Sequence, residues 1–347
     1  MRTQNYISIG LALLMTQLSF AADMTADEKK EVIKALNSSM QTRYVLADQA
    51  KKLADLYNKN LSAGVYDGIK SGAEFAKRLS DDATSICQDA HLRIRYSEKP
   101  LPVRTIASEP SAAEVEQIRL QTVRTNAGFE EVKRLEGNVG YVKFNFFDSP
   151  EAAKRRLRSA MSFLANTDAL IIDLRDNGGG YPETVNLFCS YFFDKPTHVN
   201  SILTRQGDKL EEERSITTPV ADSTFTNKPI YVLVGKRTGS GAEECSYNLQ
   251  TQKRGVIIGE STWGGANPGG MVRLTDNFSA FIPFGMAKNP ITGKNWEGTG
   301  VIPDVKVPVA DALKTGHKLV IEALAKGAKG KDQRRLQEIL AMLSAQG

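Results

Sequence analysis

The sequence predicts an α/β protein, a sheet with substantial parallel content covered by helices and preceded by a smaller helical domain. Three observations carry this. Short apolar runs alternate with helical patterns between residues 140 and 259, as they do when strands are joined by crossover helices. Glycine-rich turns follow two of the buried runs, at Gly178-Gly179-Gly180 and around Gly239-Ser240-Gly241. Residues 25–80 carry only helical spacing, with Leu46, Ala50, Leu53, Ala54 and Tyr57 on one face.

Taken in order, residues 1–22 read as a secretory signal: Arg2, an apolar stretch from Ile7 to Phe20, and Ser19-Phe20-Ala21 at the cleavage position. The polar run from Asp23 to Glu28 that follows argues against a buried first helix. Residues 23–96 form the helical domain, punctuated by Gly64 and Gly68 and ending in an alternating strand at 91–96. A polar connecting segment, 97–135, holds one helical piece near 112–121. The core spans 136–312. Its expected strands are 140–144, 169–174, 229–234, 256–259 and 305–307, and its expected helices 152–164, 182–192 and 242–252. A helical tail occupies 313–347.

Of 347 residues, 41% are hydrophobic and 24% charged, ample for a core. Without the leader, 44 basic residues stand against 40 acidic ones. That mild, dispersed excess gives no nucleic-acid surface, and no later apolar run is long enough for stable membrane insertion. Cys87, Cys189 and Cys245 fit neither metal-ligand spacing nor a disulfide scaffold; one bridge at most is possible, and buried thiols are expected.

Four segments could carry chemistry. A buried strand feeds a loop that ends at Ser240, where a helix begins. Free amides and the helix dipole there favour negative charge, so the Gly241 N–H could stabilise an oxyanion. The same residues, Ser240-Gly241-Ala242-Glu243, also spell a plain capping box. The second segment, Asp173 to Gly180, could turn amides toward a ligand, or be a simple strand-to-helix turn; it has neither the dinucleotide fingerprint nor a P-loop lysine. Histidines number three, His91, His198 and His317. His198 falls on a loop and His317 in the tail, whereas His91 follows Asp89 at the domain junction, a plausible cleft edge for a general base. Fourth, the loop 289–304 holds Glu297, which could orient a histidine or sit at the surface.

Together these segments resemble the C-terminal processing, or tail-specific, serine peptidase family. The resemblance is nearer to its branch of interphotoreceptor retinoid-binding protein repeats and tricorn-type peptidases. It rests on Asp89-Ala90-His91-Leu92, Asp173 to Gly180, Ser240-Gly241-Ala242-Glu243-Glu244, the stretch from Gly259 to Pro268, and Asn289 to Asp304, in family order over about two-thirds of the chain. It implies a Clp protease/crotonase-like core preceded by a helical domain, with the active site between them. Ser240 would be the nucleophile, the amides of Gly179 and Gly241 the oxyanion hole, and His91 the base with Glu297 behind it. No metal or cofactor is implied.

Two departures stand out. The processing branch draws its lysine base from a Thr-Phe-Gly-Lys-Gly stretch, which here reads Thr262-Trp263-Gly264-Gly265-Ala266. The tricorn-like branch places a serine beside its histidine, where this chain has Ala90. The segment 97–136 is also too short for the PDZ domain of the processing branch. The sequence therefore predicts an exported serine peptidase, periplasmic or extracellular, acting on peptides or unfolded protein. The alternative is a catalytically impaired binder of peptide or hydrophobic ligands. A coenzyme-A enzyme of crotonase type is disfavoured by the leader and by Ser-Gly-Ala-Glu-Glu. Oligomeric state is left open.

Overall fold

The structure is a computed structural model that describes residues 23–103, 111–207, 209–221, 223 and 225–345; the predicted leader lies outside the described residues. Three helices open it: α1 (Ala26–Arg43), α2 (Ala47–Ser62) and α3 (Gly72–Ile86). The Thr25 hydroxyl accepts the Glu28 N–H and the Glu28 carboxylate accepts the Thr25 N–H, a closed capping box that starts α1. At the start of α3 the Ser71 hydroxyl accepts the Glu74 N–H at 3.3 Å. The apolar faces, including Leu36, Leu53, Tyr57, Phe75 and Leu79, pack into one buried cluster. The chain then forms β1 (Arg93–Tyr96) and α4 (Ala112–Arg124).

The rear part follows as β2 (Phe129–Leu135), β3 (Val139–Phe144), α5 (Pro150–Phe163), β4 (Ala169–Asp173), α6 (Pro182–Cys189), β5 (His198–Gln206), β6 (Lys209–Ile216), β7 (Ile230–Val234), α7 (Gly241–Thr251), β8 (Val256–Gly259), β9 (Gly269–Arg273), β10 (Phe278–Pro283), β11 (Gly285–Lys288), β12 (Val305–Lys306), α8 (Ala312–Gly327) and α9 (Gly330–Ala345). Its centre is a six-stranded sheet in the order β12-β8-β7-β4-β3-β2, parallel throughout except for the β2–β3 pair. Successive residues in β4 and β7 serve opposite faces. Leu170, Ile172, Val232 and Val234 join the cluster under α5, α6 and α7; Ile171, Tyr231 and Leu233 pack beneath α8 and α9. Both faces are covered, so these strands read as unbroken apolar runs. Each fully buried aliphatic side chain adds about 1.5–3 kcal/mol.

Several strands escaped the sequence reading. β2, assigned to the connecting segment, is the antiparallel edge of the central sheet. The hairpin β5–β6 was not expected, and His198 begins β5 rather than lying on a loop. β6 is exposed almost throughout, so it lacks the apolar alternation that marks a half-buried strand. All three cysteines are buried and free. Among the described residues no helix is long and apolar enough to cross a membrane.

One small sheet decides the geometry of the site. β10 pairs antiparallel with both β1 and β9, aligning Ala280 with Ile94. Phe278, Ala280 and Ile282 complete the apolar cluster of the helical domain. A strand from the rear half is thus built into the front half, and the segment just before β1 is fixed against the core.

Candidate active site

β7 is fully buried and ends at Val234. The loop that follows is tied down by its own polar groups: the Gly235 N–H donates to Thr238 Oγ1 at 2.9 Å, and that hydroxyl donates to the Leu174 carbonyl at 2.7 Å. The Gly239 N–H donates to the Asn177 carbonyl at 3.0 Å. Ser240 then enters α7 with φ 50° and ψ −119°, a left-handed conformation that is strained for any residue with a Cβ. A serine on a sharp, strained strand-to-helix turn is what presents a nucleophile above an α/β sheet.

Ser240 is therefore unlike the ordinary caps of this chain. Thr25 and Ser111 cap from extended backbone, with hydroxyl and carboxylate halves both closed. At Ser240 the carboxylate half closes, Glu243 Oε2 accepting the Ser240 N–H at 2.8 Å. The Glu243 N–H faces the hydroxyl, yet the contact falls short of a cap hydrogen bond. Glu243, read from sequence only as a capping partner, is fully buried and also accepts from Thr262 Oγ1 at 2.5 Å and from the Gly264 and Gly265 N–H groups at 2.6 and 2.9 Å. Burial raises its pKa and these four donors oppose the rise. Glu243 locks the serine turn to the loop 262–265.

The Asp173–Gly180 segment packs against this turn backbone to backbone. A Cβ on Gly179 would lie 2.7 Å from the Ser240 Cβ and 2.8 Å from the Gly241 nitrogen. The expectation that Gly179 supplies an oxyanion donor is corrected by its hydrogen bonding. Its N–H already donates to the buried Asn177 side chain, Oδ1, at 2.9 Å. The next amide, Gly180, donates to no described residue, nor does that of Gly241. A Cβ on Gly241 would stand 3.2 Å from the Gly180 nitrogen, so the two free amides are neighbours. Gly180, Gly241 and Ser240 all line one cavity of about 900 Å³.

His91 lines the same cavity. Its backbone N–H and that of Leu92 donate to Asp89 Oδ1 at 3.1 and 3.3 Å. Asp89 Oδ2 accepts from the Tyr44 hydroxyl at 3.1 Å and from the Asn267 amide at 2.9 Å. Asp89 is thus the buried anchor of the histidine turn, a role the sequence reading did not assign. The imidazole stacks on Phe281, centroids 5.4 Å apart, and meets the Trp263 ring edge-on at 4.8 Å. Burial lowers the His91 pKa, Asp89 pulls it back up, and Arg93 lowers it again. The ring is held toward its neutral form, the state that can accept a proton.

Glu297 sits at the same junction. Its Oε1 accepts the Ala90 N–H at 2.7 Å, and Oε2 accepts the Ala266 and Asn267 N–H groups at 2.6 and 3.0 Å. Burial, aided by the nearby Asp89 charge, pushes its pKa up to about 7 against those three donors. Polar atoms of Asp89, His91 and Glu297 all lie within 4.8 Å of one another, but no hydrogen bond joins Glu297 to the ring, and His91 Nδ1 is buried without a partner. Nor does a hydrogen bond join His91 to Ser240. His198 lies elsewhere, its Nε2 2.8 Å from Ser201 Oγ, and His317 bonds the Glu136 carbonyl.

Comparison with known proteins now places the chain. The profile of peptidase family S41 matches residues 138–307, the stretch from β3 to β12. Over that stretch the chain is similar to peptidase family S41. Among curated relatives it is 28% identical to carboxyl-terminal-processing peptidase 2 of Arabidopsis thaliana over 173 residues, 49% of this chain and 32% of that one. It is 25% identical to the carboxyl-terminal-processing protease of Picosynechococcus over 226 residues, 64% and 52% of the two chains. The chain thus matches about a third to a half of the length of these relatives. Among solved structures, the photosystem II D1 C-terminal processing protease aligns with TM-score 0.50 and 16% identity, over 82% of this chain and 94% of that one. The tricorn protease aligns with TM-score 0.53 and 13% identity, over 91% and 37%. These likenesses establish the Clp-like α/β fold with its helical front.

Proposed function

We propose that this protein is an exported serine peptidase that hydrolyses peptide bonds through an acyl-enzyme on Ser240. The observation that carries the proposal is the strained Ser240 turn opening onto two unbonded, adjacent amides, in a cavity it shares with a half-buried, neutral-leaning imidazole. Ser240 Oγ attacks the scissile carbonyl carbon as its proton passes to a ring nitrogen of His91. The amides of Gly180 and Gly241 receive the oxyanion. The C–N bond then breaks, His91 gives its proton to the departing amine, and water repeats the sequence to release the acyl group. Glu297 acts behind His91 across the gap at Ala90. Export rests on the signal-like residues 1–22, and the substrate is an extended peptide or unfolded protein.

A fluorophosphonate probe should label wild type and leave Ser240→Ala and His91→Ala unlabelled; equal labelling of all three defeats the assignment. A second reading, a binding protein that kept the fold, draws on the absent Ser240–His91 hydrogen bond and on Ala90. It would be supported by saturable peptide binding that Ser240→Ala leaves intact, with no turnover across a peptide library.

A further inference from the structure

Directly behind the serine turn lies a cluster that the proposed mechanism does not use. Glu244, one turn into α7, is 5% exposed, and Asn200 of β5 and Asn248 of α7 are completely buried. Glu244 lines the same cavity as Ser240. The two amides stand near enough to favour its charged form. Yet none of the three closes a well-formed hydrogen bond: Glu244 Oε1 and both polar atoms of each asparagine lack a partner. Buried polar groups are satisfied in nearly every folded protein, so an unfilled carboxylate that lines a cleft is placed to take up a donor from outside. Burial pushes the Glu244 pKa up to about 7, with a smaller contribution from the Glu183 charge.

The surroundings say which ligand fits. Apolar groups of Ile202, Ala287 and Trp296 wall the cavity, and two further carboxylates, Glu183 and Glu213, line it against one guanidinium, Arg214. Apolar walls leading to a buried acceptor suit an alkyl stem with a cationic head. We propose that Glu244 is a specificity-determining residue, and that the cavity takes a lysine or arginine side chain of the substrate next to the scissile bond. The incoming ammonium or guanidinium donates to the Glu244 carboxylate from the cavity, and its charge draws the carboxyl into the ionised state.

This inference rests on the peptidase reading, and the test separates the two. Wild type is first labelled with a fluorophosphonate; no labelling defeats the peptidase reading itself. Peptides differing only in lysine or norleucine on the acyl side of the scissile bond are then compared by kcat/KM. Lysine should be favoured at least tenfold in wild type, and Glu244→Gln should bring the ratio close to one. A wild-type ratio at or below one, or a tenfold ratio that Glu244→Gln preserves, overturns the proposal. Should Glu244→Gln not fold, wild type still decides: n-butylammonium should slow labelling at concentrations where n-butanol does not, and equal protection by the two overturns it.

Discussion

The His91 ring fills the space that any side chain at position 265 would need: a Cβ built on Gly265 would lie 2.6 Å from the imidazole Cε1 and 2.5 Å from the Trp263 ring. In the resemblance to processing peptidases, position 265 is where the lysine base belongs. The imidazole therefore occupies the space beside the position where that resemblance would put a lysine. The imidazole comes from the front half of the chain and meets Gly265 of the rear half.

That relationship predicts the behaviour of Gly265→Ala. The methyl group has no room unless the His91 or Trp263 ring moves, and a misplacement of about 1 Å costs on the order of 100-fold in rate. We expect kcat/KM to fall by about that factor while the urea midpoint shifts little, because both rings can yield toward the open cavity. Full activity in Gly265→Ala would show that the ring position is immaterial.

Ala90 offers the converse experiment. Its N–H is held by Glu297 Oε1, and no hydroxyl spans the interval between that carboxyl and the ring. Ala90→Ser adds a hydroxyl at that junction, completing a relay of carboxyl, hydroxyl and imidazole. We expect kcat to rise roughly tenfold, a modest part of what a positioned base contributes, with KM unchanged. A fall in kcat would mean that Glu297 serves only to hold the loops.

Much of the fold was legible because the central strands are buried on both faces, and runs such as Ala169–Asp173 and Ile230–Val234 admit few other readings. The edge strands were not legible for the opposite reason. β6 is Lys-Leu-Glu-Glu-Glu-Arg-Ser-Ile, solvated along most of its length, and β9 begins with two glycines. At the site, the residue types alone left Ser240 a cap, His91 a cleft-edge histidine and Glu297 a surface carboxylate; it was the family resemblance that singled them out. Residue types could not tell Gly179 from Gly180, since the choice turns on which amide the Asn177 side chain has captured. Asp89 and Glu243 were missed as anchors because a carboxylate that gathers backbone N–H groups leaves no pattern of its own in the sequence.

Glu243 carries the next prediction. Its carboxylate gathers one hydroxyl and three backbone N–H groups from two loops. Glu243→Ala leaves those donors buried and unpaired. Each such group costs about 1–3 kcal/mol, partly recovered as loops relax and water enters. We expect urea denaturation to report a loss of about 3 kcal/mol, together with lost fluorophosphonate labelling as the serine turn loosens. A change under ~0.5 kcal/mol would remove Glu243 from the role of clamp.

The last prediction concerns pH. Burial raises the Glu297 carboxyl from an ordinary value of 4.5 to about 7. The folded protein therefore holds a proton there that the unfolded chain releases, and stability must fall as pH rises between these values. Over the full interval the loss is on the order of 3 kcal/mol, since each unit is about 1.4 kcal/mol. Glu244, also near 7, adds a slope of the same sign. His91 works the other way: burial lowers its pKa, so its contribution grows as pH rises toward the ordinary histidine value of 6.5. The cleanest reading is a difference. The stability of wild type relative to Glu297→Gln, measured by urea unfolding, should decline from pH 4.5 to 7 and be flat beyond. In parallel, the acid limb of kcat/KM should lie below 6.5, because His91 must bind a proton to fail as a base. A wild-type advantage that rises with pH would mean that the three backbone donors outweigh the burial of the Glu297 carboxylate.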